Sequence, residues 1–191
     1  MTSDSIRVEA QRTVEDAESS LPLLMTGYQQ GNAQAVDELV RRLSPPLWRY
    51  FLMSTSRNEA EDLLQECWIR IHKARHTYRP SEPVLPWVYA IARHTKLDEY
   101  RKRRRRETRE TLVAVPPEVP APESRAPGTP DLEHMLSELP ESQREVILML
   151  KFSEMSLEEV AGATASTVGA VKQKAHRAYE KLRQILEREG H

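Results

Sequence analysis

The stretch SLEEVAGATASTVGAVKQKAHRAYEKLR, Ser156 to Arg183, carries two helical patterns on either side of a short break. Ser156 followed three residues later by Glu159 is a capping-box pattern, in which the hydroxyl and the carboxylate each accept a backbone N–H of the first turn. Beyond the break, Val168, Val171, Ala175, Ala178, Leu182 and Ile185 recur at helical spacing, so this face packs inward. Lys172, Gln173, His176 and Arg177 lie on the opposite face. Arg and Gln can bond base edges bidentately, and Lys reaches phosphate or guanine. A short helix, a turn and a second helix with a small basic face therefore suit the major groove of DNA. The same spacing also fits an ordinary helix pair with a solvated face.

Working upstream, Leu132, Met135, Leu136 and Leu139 begin the module that contains this pair, placed at 131–189. Residues 107–130 hold six of the thirteen prolines and few large apolar side chains, which predicts a linker. Those 24 residues, if extended at ~3.1 Å each, would span roughly 75 Å. A second helical body occupies 18–106, and the polar residues 1–17 form a flexible N-terminus. Six glycines and little period-two alternation predict an all-α protein of two small helical domains joined by a Pro-rich linker.

In the first body, helical spacing starts at Leu21 to Tyr28 and resumes after Gly31-Asn32 with Val36, Leu39, Val40 and Leu43 inward. Pro45-Pro46 predicts a kink before Leu47 to Met53. Asn58 with Glu61 reads as the next N-terminus, and the apolar stripe is Ala60, Leu63, Leu64, Cys67, Trp68 and Ile71. Its outer face sets Asp62, Gln65, Glu66 and Lys73 around Ile69, which is either a protein-docking surface or an unremarkable exposed isoleucine. A proline-punctuated loop, Tyr78 to Pro86, leads into a helix from Trp87. Val84, Trp87, Val88, Ile91 and Thr95 face inward there, and Tyr89, Arg93, Lys96 and Tyr100 align on the other side. Rings interleaved with cations suit single-stranded nucleic acid, where bases stack and phosphates pair. Tyrosines at a core edge with wet hydroxyls are the plain alternative. The six basic residues Arg101 to Arg106 point to nearly every azimuth of a helix, so they serve as sequence-blind phosphate contacts.

Charge is sorted along the chain although its formal net value is −1. Residues 1–66 sum to −5, 93–109 to +6, 131–160 to −6 and 165–191 to +3. Two basic patches on acidic bodies imply two nucleic-acid contacts and further surfaces for a protein partner. The lone Cys67 leaves no intramolecular disulfide and fits a reducing cytoplasm. No apolar run approaches the ~20 residues of a membrane span, and the N-terminus lacks the apolar core of an export signal. His72 and His76 have i, i+4 spacing without an acidic or cysteine ligand in register, so no metal site is expected. Neither a glycine-rich phosphate loop nor a nucleophile elbow is present, and neither an enzyme nor a cofactor is expected.

The segment NEAEDLLQECWIRIHKARHTYRPSEPVLPWVYAIARHTKLDEYRKRRRRE, Asn58 to Glu107, resembles region 2 of bacterial sigma factors of the extracytoplasmic-function (ECF) group in the sigma-70 family. LSELPESQREVILMLKFSEMSLEEVAGATASTVGAVKQKAHRAYEKLR, Leu136 to Arg183, resembles their region 4. The resemblance implies an alternative sigma factor that binds core RNA polymerase and directs it to two elements of promoter DNA. Asp62, Gln65 and Glu66 would dock on the polymerase clamp helices, with Ile69 as their apolar neighbour. The loop Thr77 to Pro86, with Tyr78, would capture a flipped base of the −10 strand. Tyr89, Arg93, His94 and Lys96 would lie along that strand, and Arg101 and Arg103 would hold its phosphates. Lys172, Gln173, His176 and Arg177 would read the −35 duplex. A dedicated anti-sigma factor, often membrane-bound in this group, is a further implied partner, without direct membrane insertion of this chain. His94 stands where the family usually has Asn, and Ala163 to Ser166 replace its usual aliphatic residues and turn glycine, which implies a thinner core at the turn.

Overall fold

The computed structural model describes residues 21–110 and 132–189. Every regular element among them is helical. The first body consists of α1 (residues 21–29), α2 (Ala33–Leu52), α3 (Arg57–Ala74) and α4 (Val84–Glu110), with a 3₁₀ turn at Arg75–Thr77. The second consists of α5 (Leu132–Ser137), α6 (Glu141–Phe152), α7 (Leu157–Ala163) and α8 (Val168–Glu189).

Gly31, at φ 82°, turns the chain between α1 and α2 in the left-handed region that favours glycine. Asn32 then caps α2 by accepting the Ala35 N–H at 3.2 Å. α2 runs as one helix through Pro45 and Pro46, continuing in the direction expected for Leu47 to Met53. Val40, expected inward, is 38% exposed, while Leu39, Leu43 and Leu47 carry the packing. α3 begins two residues earlier than expected. Ser56 and Glu59 form its capping box, and Asn58 lies inside the first turn. Its predicted stripe holds: Ala60, Leu63, Cys67 and Ile71 are buried, and the Trp68 indole donates to Ser44 Oγ at 3.0 Å. Burial pushes the Cys67 thiol up to about 12, which keeps it protonated. α4 starts at Val84, ahead of the expected Trp87; Pro86 fits because the first turn has no N–H partners to lose. α4 continues to Glu110, and the rest of the expected linker lies outside the described residues.

The two bodies share one hydrophobic core. α7 lies along α4, and α6 contacts α2 as well as α8. The physical reason is visible in α6, where Glu145, Val146, Ile147, Leu148 and Met149 are all buried. A helix apolar around its circumference must be covered on more than one side, and here the first body supplies one of those sides.

Candidate nucleic-acid and protein interfaces

Ser156 and Glu159 form the expected capping box at the start of α7. The following turn is closed by Ser166 N–H donating to Ala161 O at 2.9 Å and by Ala165 at φ 50°. Thr164, buried where an aliphatic residue would add core, satisfies its hydroxyl on Val160 O at 2.7 Å and meets Ser166 Oγ at 2.9 Å. Thr167 then accepts the Ala170 N–H and aims α8. On α8, Val171, Ala175, Ala178 and Ile185 are buried, and Lys172, Gln173, His176 and Arg177 are all exposed. The sequence-predicted face is therefore assembled and open, with His176 Nε2 lying 3.4 Å from the Glu180 carboxylate.

Asp62, Gln65 and Glu66 are exposed on α3 beside Ile69, which is 48% exposed. Arg70 ties this face to α4, donating to Glu66 at 2.7 Å and to Asp98 at 2.6 Å. The loop before α4 is organised from within. Tyr78 is buried, its hydroxyl donating to Glu82 O at 2.7 Å and its ring 5.8 Å edge-on from Trp87, whose indole donates to Thr77 Oγ1. His94, Arg101 and Arg103 are exposed, with Arg101 3.5 Å from Asp98 and Arg103 3.4 Å from Glu59.

Residues 39–106 match the family model for Sigma-70 region 2, and residues 130–182 match that for Sigma-70, region 4. The ECF RNA polymerase sigma factor SigF of Caulobacter vibrioides is 30% identical over 176 residues, covering 91% of this chain and 97% of its own. The chain belongs to the ECF sigma factors. RNA polymerase sigma factor CarQ of Myxococcus xanthus is 31% identical over 170 residues, covering 85% and 95% respectively. The fold is also that of a chain in the co-crystal structure of sigma factor RpoE with anti-sigma factor NepR from Bartonella quintana. That match has TM-score 0.68 at 23% identity, covering 81% of this chain and 98% of that one. CnrH in complex with the cytosolic domain of CnrY matches with TM-score 0.65 at 23% identity, covering 87% and 96%. As a member of its family, this sigma factor directs promoter-specific transcription.

Within the sigma factor, one expected surface is not open. Tyr89, Arg93, Lys96 and Tyr100 were expected to line an outer stripe, but Tyr89 is fully buried and Lys96 is 8% exposed. Region 4 covers them. The Tyr89 hydroxyl meets Ser153 Oγ at the end of α6, and burial pushes the tyrosine up to about 12. Arg93 keeps 30% of its side chain exposed, and Tyr100, 50% exposed with the Arg104 guanidinium 5.9 Å from its ring centroid, stays on the surface. Tyr78, expected at the strand-capturing loop, likewise faces inward. The residue at the centre of this contact was not singled out in the sequence. Glu145 of region 4 accepts the Tyr50 hydroxyl at 2.5 Å and lies 3.4 Å from both Arg93 Nε and Lys96 Nζ. The signal available was the run VILML directly after it, which marks a helix covered on several sides.

Among the described residues no cluster of three or more His, Cys, Asp or Glu could hold a metal ion, and no helix is long and apolar enough to cross a membrane. His72, considered for a metal, shares a 2.9 Å hydrogen bond with the Tyr28 hydroxyl.

Proposed function

We propose that region 2 docks on core RNA polymerase through Asp62, Gln65, Glu66 and Ile69, and melts the −10 element. The loop at Thr77 to Pro86 and the side chains of Arg93, His94, Arg101 and Arg103 hold the unpaired strand; Lys96 and Tyr89 join them when region 4 leaves α4. Region 4 reads the −35 duplex through Lys172, Gln173, His176 and Arg177. The factor acts in the cytoplasm as a non-catalytic partner of the polymerase and needs no cofactor.

The observation that carries this reading is the face of α8. Four side chains able to bond base edges or phosphates stand exposed opposite a packed stripe, on the second helix of a capped helix-turn-helix. The open acidic face of α3 supplies a second surface of different chemistry, suited to a protein. Of the two structures of similar fold, one holds sigma factor RpoE with anti-sigma factor NepR and the other CnrH with the cytosolic domain of CnrY, and we extend an anti-sigma partner to this chain. Mapping RNA 5′ ends after overproduction tests the reading. New starts preceded by one shared −10 and one shared −35 sequence are expected, and an unchanged set of starts would count against it.

A further inference from the structure

The region 2 and region 4 contact is built around a charge that the rest of the fold does not need. Glu145 is 8% exposed and Lys96 equally so, depths at which charged groups occur only when paired. Besides Glu145, Lys96 lies 3.2 Å from Glu141 and 4.8 Å from the Tyr50 ring centroid. A pair of anionic oxygens held between a tyrosine hydroxyl, a guanidinium and an ammonium is also how proteins hold a phosphate.

We infer that Glu145 occupies the anion site that Arg93 and Lys96 offer to a promoter phosphate, and so latches region 4 over α4 in the free protein. The inference rests on the reading of Arg93 and Lys96 as contacts of the −10 strand. A buried ion pair adds little net stability, because desolvation offsets the Coulomb gain, but a buried charge left unpaired is strongly unfavourable. Exchanging the carboxylate for a phosphate keeps both cations paired before and after opening. The contact is then a two-state element that a nucleic acid can bias.

The flanking contacts open with it. Arg144 Nη1 donates to Met53 O at 2.7 Å across the same boundary, and Tyr89 meets Ser153. At the far end of the contact, a Cβ on Gly162 of α7 would stand 3.8 Å from the Pro86 side chain. Ser156 and Glu159 share a cleft with Pro80 to Leu85. Region 4 therefore borders the strand-capturing loop, whose residues Arg79 to Pro83 stay exposed, and lies directly over Lys96 of α4.

The test uses the full chain with donor and acceptor dyes on Lys73→Cys and Arg183→Cys, both exposed positions; the buried Cys67 stays unlabelled. Glu145→Gln keeps the size and the Tyr50 acceptor while removing the charge. It should lower transfer efficiency and tighten binding of a single-stranded −10 oligonucleotide about tenfold, since apparent affinity scales with the open fraction. Glu141→Gln, at a side chain 66% exposed, should act in the same direction to a smaller extent without risk to folding. Wild-type transfer efficiency or wild-type oligonucleotide affinity in Glu145→Gln overturns the latch. Arg93→Ala and Lys96→Ala in holoenzyme, followed by permanganate footprinting, separate the two readings. If both open the promoter like wild type, the −10 reading fails and the latch fails with it. If they do not open it while Glu145→Gln is silent, only the latch fails.

Discussion

Tyr50, near the end of α2, donates a 2.5 Å hydrogen bond to Glu145 in α6, joining residues 95 apart in the chain. Burial, reinforced by the Glu145 charge, raises the Tyr50 hydroxyl well above its usual 10.0, so it remains a donor. Burial alone would raise the Glu145 carboxyl, but Lys96, the Tyr50 hydrogen bond and Arg93 outweigh it and hold the group below 4.5. The bond therefore joins a neutral donor to an ionised acceptor, the stronger kind of hydrogen bond.

Tyr50→Phe leaves the ring packing against Phe51 and Tyr89 in place and removes that donor. A hydrogen bond to a charged group contributes about 2 kcal/mol net, so urea unfolding should show a loss of about that size. A loss close to zero would mean that Glu145 is satisfied without Tyr50.

Acid should loosen the same contact. Because the Glu145 carboxyl is lowered in the folded state, its stabilisation is fully present above the ordinary value of 4.5 and disappears as pH falls through the folded value. Stability measured from pH 7 down to pH ~3 should therefore fall less steeply in Glu145→Gln than in wild type. The exposed acids Glu59 and Asp98 and the half-buried Glu138, lowered by their own partners, keep a residual slope in the variant.

The turn of the helix-turn-helix carries backbone strain. Ala165 sits at φ 50°, where a Cβ is disfavoured by about 1–2 kcal/mol. Ala165→Gly relieves this but frees the unfolded chain by roughly 0.4–1 kcal/mol. A net gain of about 1 kcal/mol, read as a higher melting temperature, is expected. A lower melting temperature would show that the Ala165 methyl makes a contact worth more than the strain.

Asp62→Lys with Glu66→Lys reverses the charge of the α3 face without touching its buried side. The variant should fold, as judged by circular dichroism, and fail to co-purify with core polymerase. Retained co-purification would place the docking surface elsewhere.

Much of this fold is legible in local patterns. The stripes of α3 and α8 recur at 3.6 residues, and the face of each helix follows from that spacing alone. Ser56 in place of Asn58 as the cap of α3 shows the limit of such patterns, since Ser-x-x-Glu and Asn-x-x-Glu both fit two residues apart. The outer stripe of α4 was misread for a different reason. Tyr89 and Lys96 look like surface residues to a reading of their own helix, and they are buried by α6, some fifty residues downstream. Contacts at that separation leave no periodic trace. Only the VILML run of α6 announces that this helix needs cover on several sides. The exposed faces of α3 and α8, which no other helix covers among the described residues, follow the pattern of their own helices.

Run-off transcription with purified core polymerase, on a promoter found by start mapping, tests the central claim most directly. The full chain should convert core from inactive to promoter-specific, and Arg177→Ala should reduce initiation by about 1–3 kcal/mol equivalent at promoters with an intact −35 element. A transcript that forms equally well without the chain, or specific DNA binding by the chain alone with no transcript, would contradict it.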